Sequence, residues 1–180
     1  MEQPSLLVIQ MPTTSRHRTR GFTIVELVVV IVLLGVLAAF ALPRFVDVSR
    51  EARVATLESI AGSMRSTVAM VQAKARLDGL TPVAANPGAG QSGFMIESEM
   101  GVSELHHSNL CPESSAELGD RLDMVDYMMM STTDDVAITT DNQFTRIGFE
   151  ITNSVTSGCY VLYDSFVPGD CTIEVIDVDC

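Results

Sequence analysis

A chain of 180 residues, 47% of them hydrophobic, is long enough for one domain plus an appendage. Its formal net charge is -12, and beyond Leu77 only Arg121 and Arg146 stand against 18 acidic residues, so that part repels phosphate backbones and disfavours nucleic-acid binding. The histidines are His17, His106 and His107, and no GxSxG, HExxH or carboxylate pair offers a catalytic centre, so the chain reads as a non-enzyme with no catalytic residue and no cofactor.

Residues 1–21 form a basic leader in which Arg16, Arg18 and Arg20 outweigh Glu2. Met11 would start a shorter version of the same leader. Phe22 to Leu42 follows, a run whose strongly polar members are Thr23 and Glu26. As a helix this run is about 32 Å long, close to the ~30 Å hydrocarbon core of a bilayer. Positive charge before an apolar helix places the amino terminus in the cytoplasm and the remainder outside. A carboxylate within such a run needs a partner, unless it merely snorkels to the interface. Ala38-Ala39-Phe40-Ala41 imitates the cleavage site of an ordinary signal peptide, a reading that Glu26 opposes.

Gly21, Phe22, Thr23, Glu26, Leu27, Gly35 and Pro43, behind a basic leader, resemble the class III signal of type IV prepilins and type II secretion pseudopilins. That resemblance implies a prepilin peptidase that cuts between Gly21 and Phe22 and methylates the new amino group of Phe22. It implies, too, a partner for Glu26: the Phe22 amine of a neighbouring subunit. Opposite charges attract strongly in low dielectric, and a one-turn slip would leave the carboxylate alone, so Glu26 would set the axial register of a filament.

Pro43 removes a backbone donor and crowds the carbonyl of Ala39, which predicts a kink or local melting between Gly35 and Pro43. Leu57, Ala61, Met64, Val68, Val71 and Ala75 then recur at helical spacing, giving one helix from Phe22 to about Leu77, about 80 Å long and capped by Gly79. Residues 78–93 are a linker loop rich in Pro, Gly and Ala. Its GxGxxG, Gly88 to Gly93, lacks the preceding strand that nucleotide binding requires. Phe94-Met95-Ile96 reads as a short strand, Val102 to His107 as a helical turn, and His106-His107 as surface residues without metal-ligand company. Ser114 and Glu117 read as a capping box opening a helix to about Met130, with Leu118, Leu122, Val125 and Met129 as its buried stripe. Asp120, Asp123 and Asp126 read as a solvated face rather than a calcium site.

From Asp135 the pattern alternates as strands: Val136 to Thr140, Ile147 to Ile151, Cys159 to Asp164 and Cys171 to Val178, with turns at Asp141-Asn142, Asn153 to Gly158 and Pro168-Gly169. A long helix followed by an antiparallel meander is an α+β fold. In an exported head Cys111, Cys159, Cys171 and Cys180 favour disulfides, with three pairings possible. A turn at Pro168-Gly169 sets Cys159 opposite Val178, within a frayed residue or two of Cys180. Cys159 and Cys171 would stand beyond the ~7 Å Cα limit. The reading favours Cys159–Cys180, with Cys111–Cys171 by elimination.

The Cys159-Tyr-Val-Leu-Tyr163 stretch ending at Cys180, Ala-Leu-Pro43-Arg-Phe45, and the run to Ala73-Lys-Ala-Arg-Leu77 are similar to mannose-sensitive haemagglutinin pilins, from which Cys111 and Cys171 depart. The resemblance implies the type IV pilin fold: residues 1–21 a cleaved leader, 22–77 a long helix whose 22–42 half is transmembrane or filament core, and 78–180 the globular head. It implies a subunit of an adhesive or motility filament, with Gly35 and Pro43 among the assembly residues. Its partners would be copies of itself and related pilins, prepilin peptidase, the assembly machinery and the inner membrane. The subunit would pass from a single-pass inner-membrane state, head outside the cytoplasm, into an extracellular pilus. The alternatives are a type II secretion pseudopilin and a membrane-anchored binding module that does not polymerise.

Overall fold

The structure is a computed structural model that describes residues 21–88, 93–117, 119–130 and 136–180. The leader to Arg20, the middle of the GxGxxG stretch, Leu118 and Asp135 lie outside the described residues. Two units are distinct, one ending at Arg44 and one running from Phe45 to Cys180. Helix α1, Ile24–Leu77, contributes to both. Its backbone stays helical through Pro43, so the local melting predicted there does not occur. Proline deletes one bond of the ladder, and the helical turns that continue on both sides of it leave the rest of the ladder in place.

In the second unit, α1 buries the predicted stripe, with Leu57, Ala61, Met64, Val71 and Ala75 fully covered and Ile60 widening it. Leu57 to Met64 pack with Cys111, Met124, Ile147, Cys159, Val161 and Tyr163 in one cluster, while Val71 and Ala75 pack with Phe94, Ile96, Leu105 and Leu110 in another. The helix ends in a Schellman motif. Gly79 N–H donates to Arg76 O (3.1 Å) and Leu80 N–H to Ala75 O (2.9 Å), with Gly79 at φ +83°, the left-handed conformation that glycine adopts without strain.

A two-stranded hairpin follows, β1 (Met95–Ser98) with β2 (Gly101–Glu104). Val102 therefore lies in a strand, correcting the predicted helical turn, because its segment pairs with β1 and Leu122 N–H bonds to its carbonyl. The predicted helix from Ser114 is also corrected. Ser114 is buried and donates its hydroxyl to Gln143 O (2.7 Å), and the Glu117 amide donates to the Glu104 carboxylate (3.0 Å). Neither group is left to cap a helix. The helix is instead α2, Met124–Met128, capped by Asp123 and Asp126 in a reciprocal box. Met129 sits in the left-handed C-cap position and is 83% exposed, outside the stripe assigned to it.

Strands β3 (Ala137–Thr140), β4 (Phe144–Glu150), β5 (Cys159–Asp164) and β6 (Thr172–Ile176) form an antiparallel meander in sequence order. Strand β5 is buried on both faces. Cys159, Val161 and Tyr163 meet α1's cluster, while Tyr160 and Leu162 pack with Ile176, Phe144 and Ile151 on the other face. Gly148 permits this, since a Cβ there would lie 2.3 Å from Cys159 O. With Ile24–Leu77 helical and a small antiparallel sheet behind its second half, the α+β type IV pilin fold implied by the sequence is the fold of this chain.

The disulfides join Cys111 to Cys171 and Cys159 to Cys180, with Cα separations of 5.8 and 4.8 Å. The register beside them differs by one residue from that set by a two-residue turn: Tyr160 pairs with Ile176, not Asp177. The Pro168-Gly169 turn is embedded in a longer loop between Asp164 and Thr172. Nor is the chain end frayed. Asp179 N–H donates to Gly158 O (3.0 Å), its carboxylate accepts from Gly158 N–H (2.6 Å), and the turn Asp177–Cys180 brings Cys180 back to Cys159.

Candidate processing and assembly site

The site begins at the junction of Gly21 and Phe22, which precedes α1, and Phe22 is 87% exposed. Thr23 caps the helix. Its backbone N–H and hydroxyl both donate to Glu26 Oε2, at 3.1 and 3.0 Å, and its Oγ1 accepts the Glu26 N–H at 3.2 Å. This is a Thr-x-x-Glu capping box. It lies wholly on the carboxyl side of the Gly21–Phe22 bond. The reading of Glu26 as a carboxylate in need of a partner overlooked it, although the spacing of Thr23 and Glu26 was visible.

Beyond the cap, Ile24–Ala41 has a mean hydropathy of 3.0, and none of it is buried among the described residues. It is the one helix among the described residues long and apolar enough to cross a membrane. Leu27 to Leu34 are each about half exposed, on every side of the helix rather than along one stripe. A helix apolar all round belongs inside lipid or inside a bundle of other helices. Gly35 stands in the middle of this run, and a Cβ there would meet nothing within 4 Å. A glycine in a helix interior costs about 1 kcal/mol relative to alanine, and the chain's own packing gives no reason for it.

The remaining predicted residues lie elsewhere. Pro43 is within the helical backbone of α1, and the four cysteines are all in the second unit. His106 and His107 are corrected from surface to core, 8% and 7% exposed, because the segment carrying them is pinned by bonds to Val83 and Cys111. Among the described residues no three His, Cys, Asp or Glu side chains converge as metal ligands.

A family model described as the prokaryotic N-terminal methylation motif matches residues 16–42, which contain the junction, the cap and most of the apolar run. The chain is 43% identical over 77 residues to the type IV narrow pilus major component of Thermus thermophilus, a match covering 42% of this chain and 66% of that protein. It is 30% identical over 94 residues to a fimbrial protein of Eikenella corrodens, covering 52% and 57% of the two chains. Against the type IV major fimbrial protein of Dichelobacter nodosus the identity is 35% over 49 residues, 27% of this chain and 31% of that one. The matches thus span less than two thirds of these relatives' lengths. No solved structure matches significantly. The chain carries a type IV prepilin signal and is homologous to type IV pilins.

Proposed function

We propose that this chain is a type IV pilus subunit of the mannose-sensitive haemagglutinin kind, which polymerises into a surface filament for adhesion or motility. The observation that carries this reading is the pairing of a methylation motif over residues 16–42 with an apolar helix that is exposed among the described residues. Before assembly a bilayer covers that helix; in the filament, other copies do. Prepilin peptidase removes residues 1–21 and methylates Phe22. Residues 22–77 then form the spine, with 22–42 in the inner membrane or filament core, and residues 78–180 the exported head. Glu26 receives the Phe22 amine of a neighbour and fixes the register, while Gly35 lets helices approach closely. The head's two disulfides fit an oxidising compartment and favour the pilus over a pseudopilus.

Intact mass of the unreduced protein from sheared surface material and from the inner membrane tests this reading. The expected species starts at Phe22, carries one added methyl and is present in the sheared fraction. The processed mass confined to the membrane would shift the assignment to a pseudopilin, and an uncleaved chain would leave only an anchored module.

A further inference from the structure

Between the loop after α1 and the β5–β6 loop, two adjacent imidazoles sit buried in the second unit. The His106 ring stacks on Phe166 with centroids 4.6 Å apart, and the His107 ring lies 4.6 Å from it on an angle. Phe94 meets His107 edge-on at 6.3 Å. The pair joins two loops to one segment. Val83, in the loop after α1, donates its N–H to His107 O (2.9 Å), and its carbonyl meets His107 Nδ1 at 2.9 Å. A carbonyl only accepts, so Nδ1 of His107 carries the hydrogen. On the other side, Phe166 and the Asn109 amide hold the β5–β6 loop. Asn109 Nδ2 reaches the carbonyls of Ser165, Val167 and Asp170 at 2.7, 2.9 and 2.9 Å.

From this geometry we infer that the His106–His107 pair is an acid-sensitive clasp, in which a proton on His106 releases the Val83 loop and the Phe166 loop without unfolding the sheet. An imidazolium in this place is buried against a second imidazole and an aromatic face. Ser108 Oγ, 3.0 Å from His106 Nδ1, and the Asn109 side chain are its polar neighbours. Asp164, at the end of β5, is the carboxylate that faces it. That carboxylate is already engaged by Gln143 Nε2 (3.2 and 3.1 Å) and by the Phe166 N–H (2.9 Å). Burial first, and the neighbouring His107 second, hold the His106 imidazole below its usual range, against the weaker opposite pull of Asn109 and Asp164. The sign follows. The unfolded chain binds this proton more readily, so the contribution is complete above about pH 6.5 and is lost as pH falls through that value toward the folded-state one. The Cys111–Cys171 disulfide ties the same two segments covalently, which keeps the opening local.

Amide exchange of the full chain in detergent micelles, followed by NMR at about pH 7.5 and about pH 5 and corrected for intrinsic rates, tests the clasp on either side of the imidazole range. Protection of the Val83 and Leu110 amides is expected to fall by up to about tenfold per pH unit between about pH 6.5 and the folded-state value and to level off below it, while Ile147 and Val161 keep theirs. His106→Phe, which retains the stacked ring and cannot take the proton, is expected to flatten the dependence. If that variant does not fold, the His106 ring resonance of the unmodified chain serves instead and is expected to titrate with the same midpoint as the Val83 amide. Unchanged Val83 protection, a uniform loss across the sheet, an acid response retained in His106→Phe, or separate midpoints would each overturn the inference.

Discussion

Thr23 and Glu26 satisfy one another at the start of α1, the threonine giving two hydrogen bonds to a single carboxylate oxygen and receiving one from the glutamate amide. The arrangement leaves Glu26 Oε1 available to a second donor, which in the proposed filament is the Phe22 amine of a neighbour. Charge and cap can be separated. Glu26→Gln keeps an acceptor for Thr23 but cannot balance an amine, so with Glu26→Val it is expected to be cleaved normally and to give no sheared filaments. Thr23→Ala loses the cap and keeps the charge, so filaments are expected at reduced yield. Immunoblots of sheared and membrane fractions, in cells lacking the unaltered subunit, decide this. Normal filaments from Glu26→Val would end the register argument.

The junction itself makes a second expectation. Gly21 has no atom beyond its backbone for the proposed peptidase to accommodate, and a Cβ there would meet nothing within 4 Å. Replacing it with leucine is therefore expected to leave folding of the second unit untouched while blocking removal of the leader. Intact mass reads the outcome directly, and a product starting at Phe22 from Gly21→Leu would place the processing determinant elsewhere.

How much of this was legible in the sequence depended on whether one side chain's environment was local. The stripe from Leu57 to Ala75 was readable because helical spacing alone puts those residues on one face, and β3 to β6 because alternation does the same for strands. Ser114 and Glu117 misled because their hydrogen bonds go to Gln143 and Glu104, residues a sequence window cannot see. The true box, Asp123 with Asp126, lay in the periodic aspartates read as a solvated face. His106 and His107 were misplaced for the same reason: adjacent polar residues look exposed until Val83, Phe94 and Phe166 are folded over them. The β5–β6 register slipped by one because the length of a loop, unlike its central turn, leaves no local mark.

At the β3–β4 turn, Asp141 Oδ1 accepts the amides of Gln143 (2.9 Å) and Phe144 (2.8 Å), and Oδ2 accepts Arg146 Nη1 (2.9 Å). Partial burial pushes the carboxyl's pKa up, but these three donors outweigh it and leave it below its ordinary 3.8. A depressed carboxylate contributes stability above that value and loses it as pH falls through the folded-state one. Asp141→Asn is therefore expected to flatten the acid limb of the stability curve below pH 3.8. Denaturant midpoints across that range check it; parallel curves for the two proteins would remove Asp141 from the acid response.

The two disulfides enclose overlapping stretches, Cys111 to Cys171 spanning 60 residues and Cys159 to Cys180 spanning 21. By loop-closure entropy the longer contributes about 4 kcal/mol and the shorter about 3 kcal/mol. Since each loop contains one cysteine of the other, each bond shortens the stretch the other closes, so removing both is expected to cost slightly more than the two single removals added. Denaturant unfolding of the full chain in detergent, with paired serine replacements, gives the order: the 111/171 pair costs more than the 159/180 pair, and all four cost slightly more than the sum. The reverse order would mean that the Asp179 clamp, rather than chain entropy, dominates.

Glu104 is a buried carboxyl in β2. It is fully buried, its Oε2 accepts the Glu117 amide, and its Oε1 has no hydrogen-bond partner. The Glu113 amide bonds to the Glu104 carbonyl at 3.2 Å, and the adjoining Leu105–Pro112 bridge sets these two acids opposite one another, with Glu113 buried as well. A buried acceptor without a donor loses its hydration for nothing. Glu104→Gln keeps an oxygen for the Glu117 amide and replaces the unpartnered Oε1 with an amide nitrogen. It is expected to stabilise the head by about 1 kcal/mol at neutral pH. Glu104→Ala, which orphans the Glu117 amide and opens a void, is expected to destabilise it. Chemical denaturation of both variants at neutral pH tests the pair of signs, and a loss of stability in Glu104→Gln would show that the core is built around the carboxyl group itself.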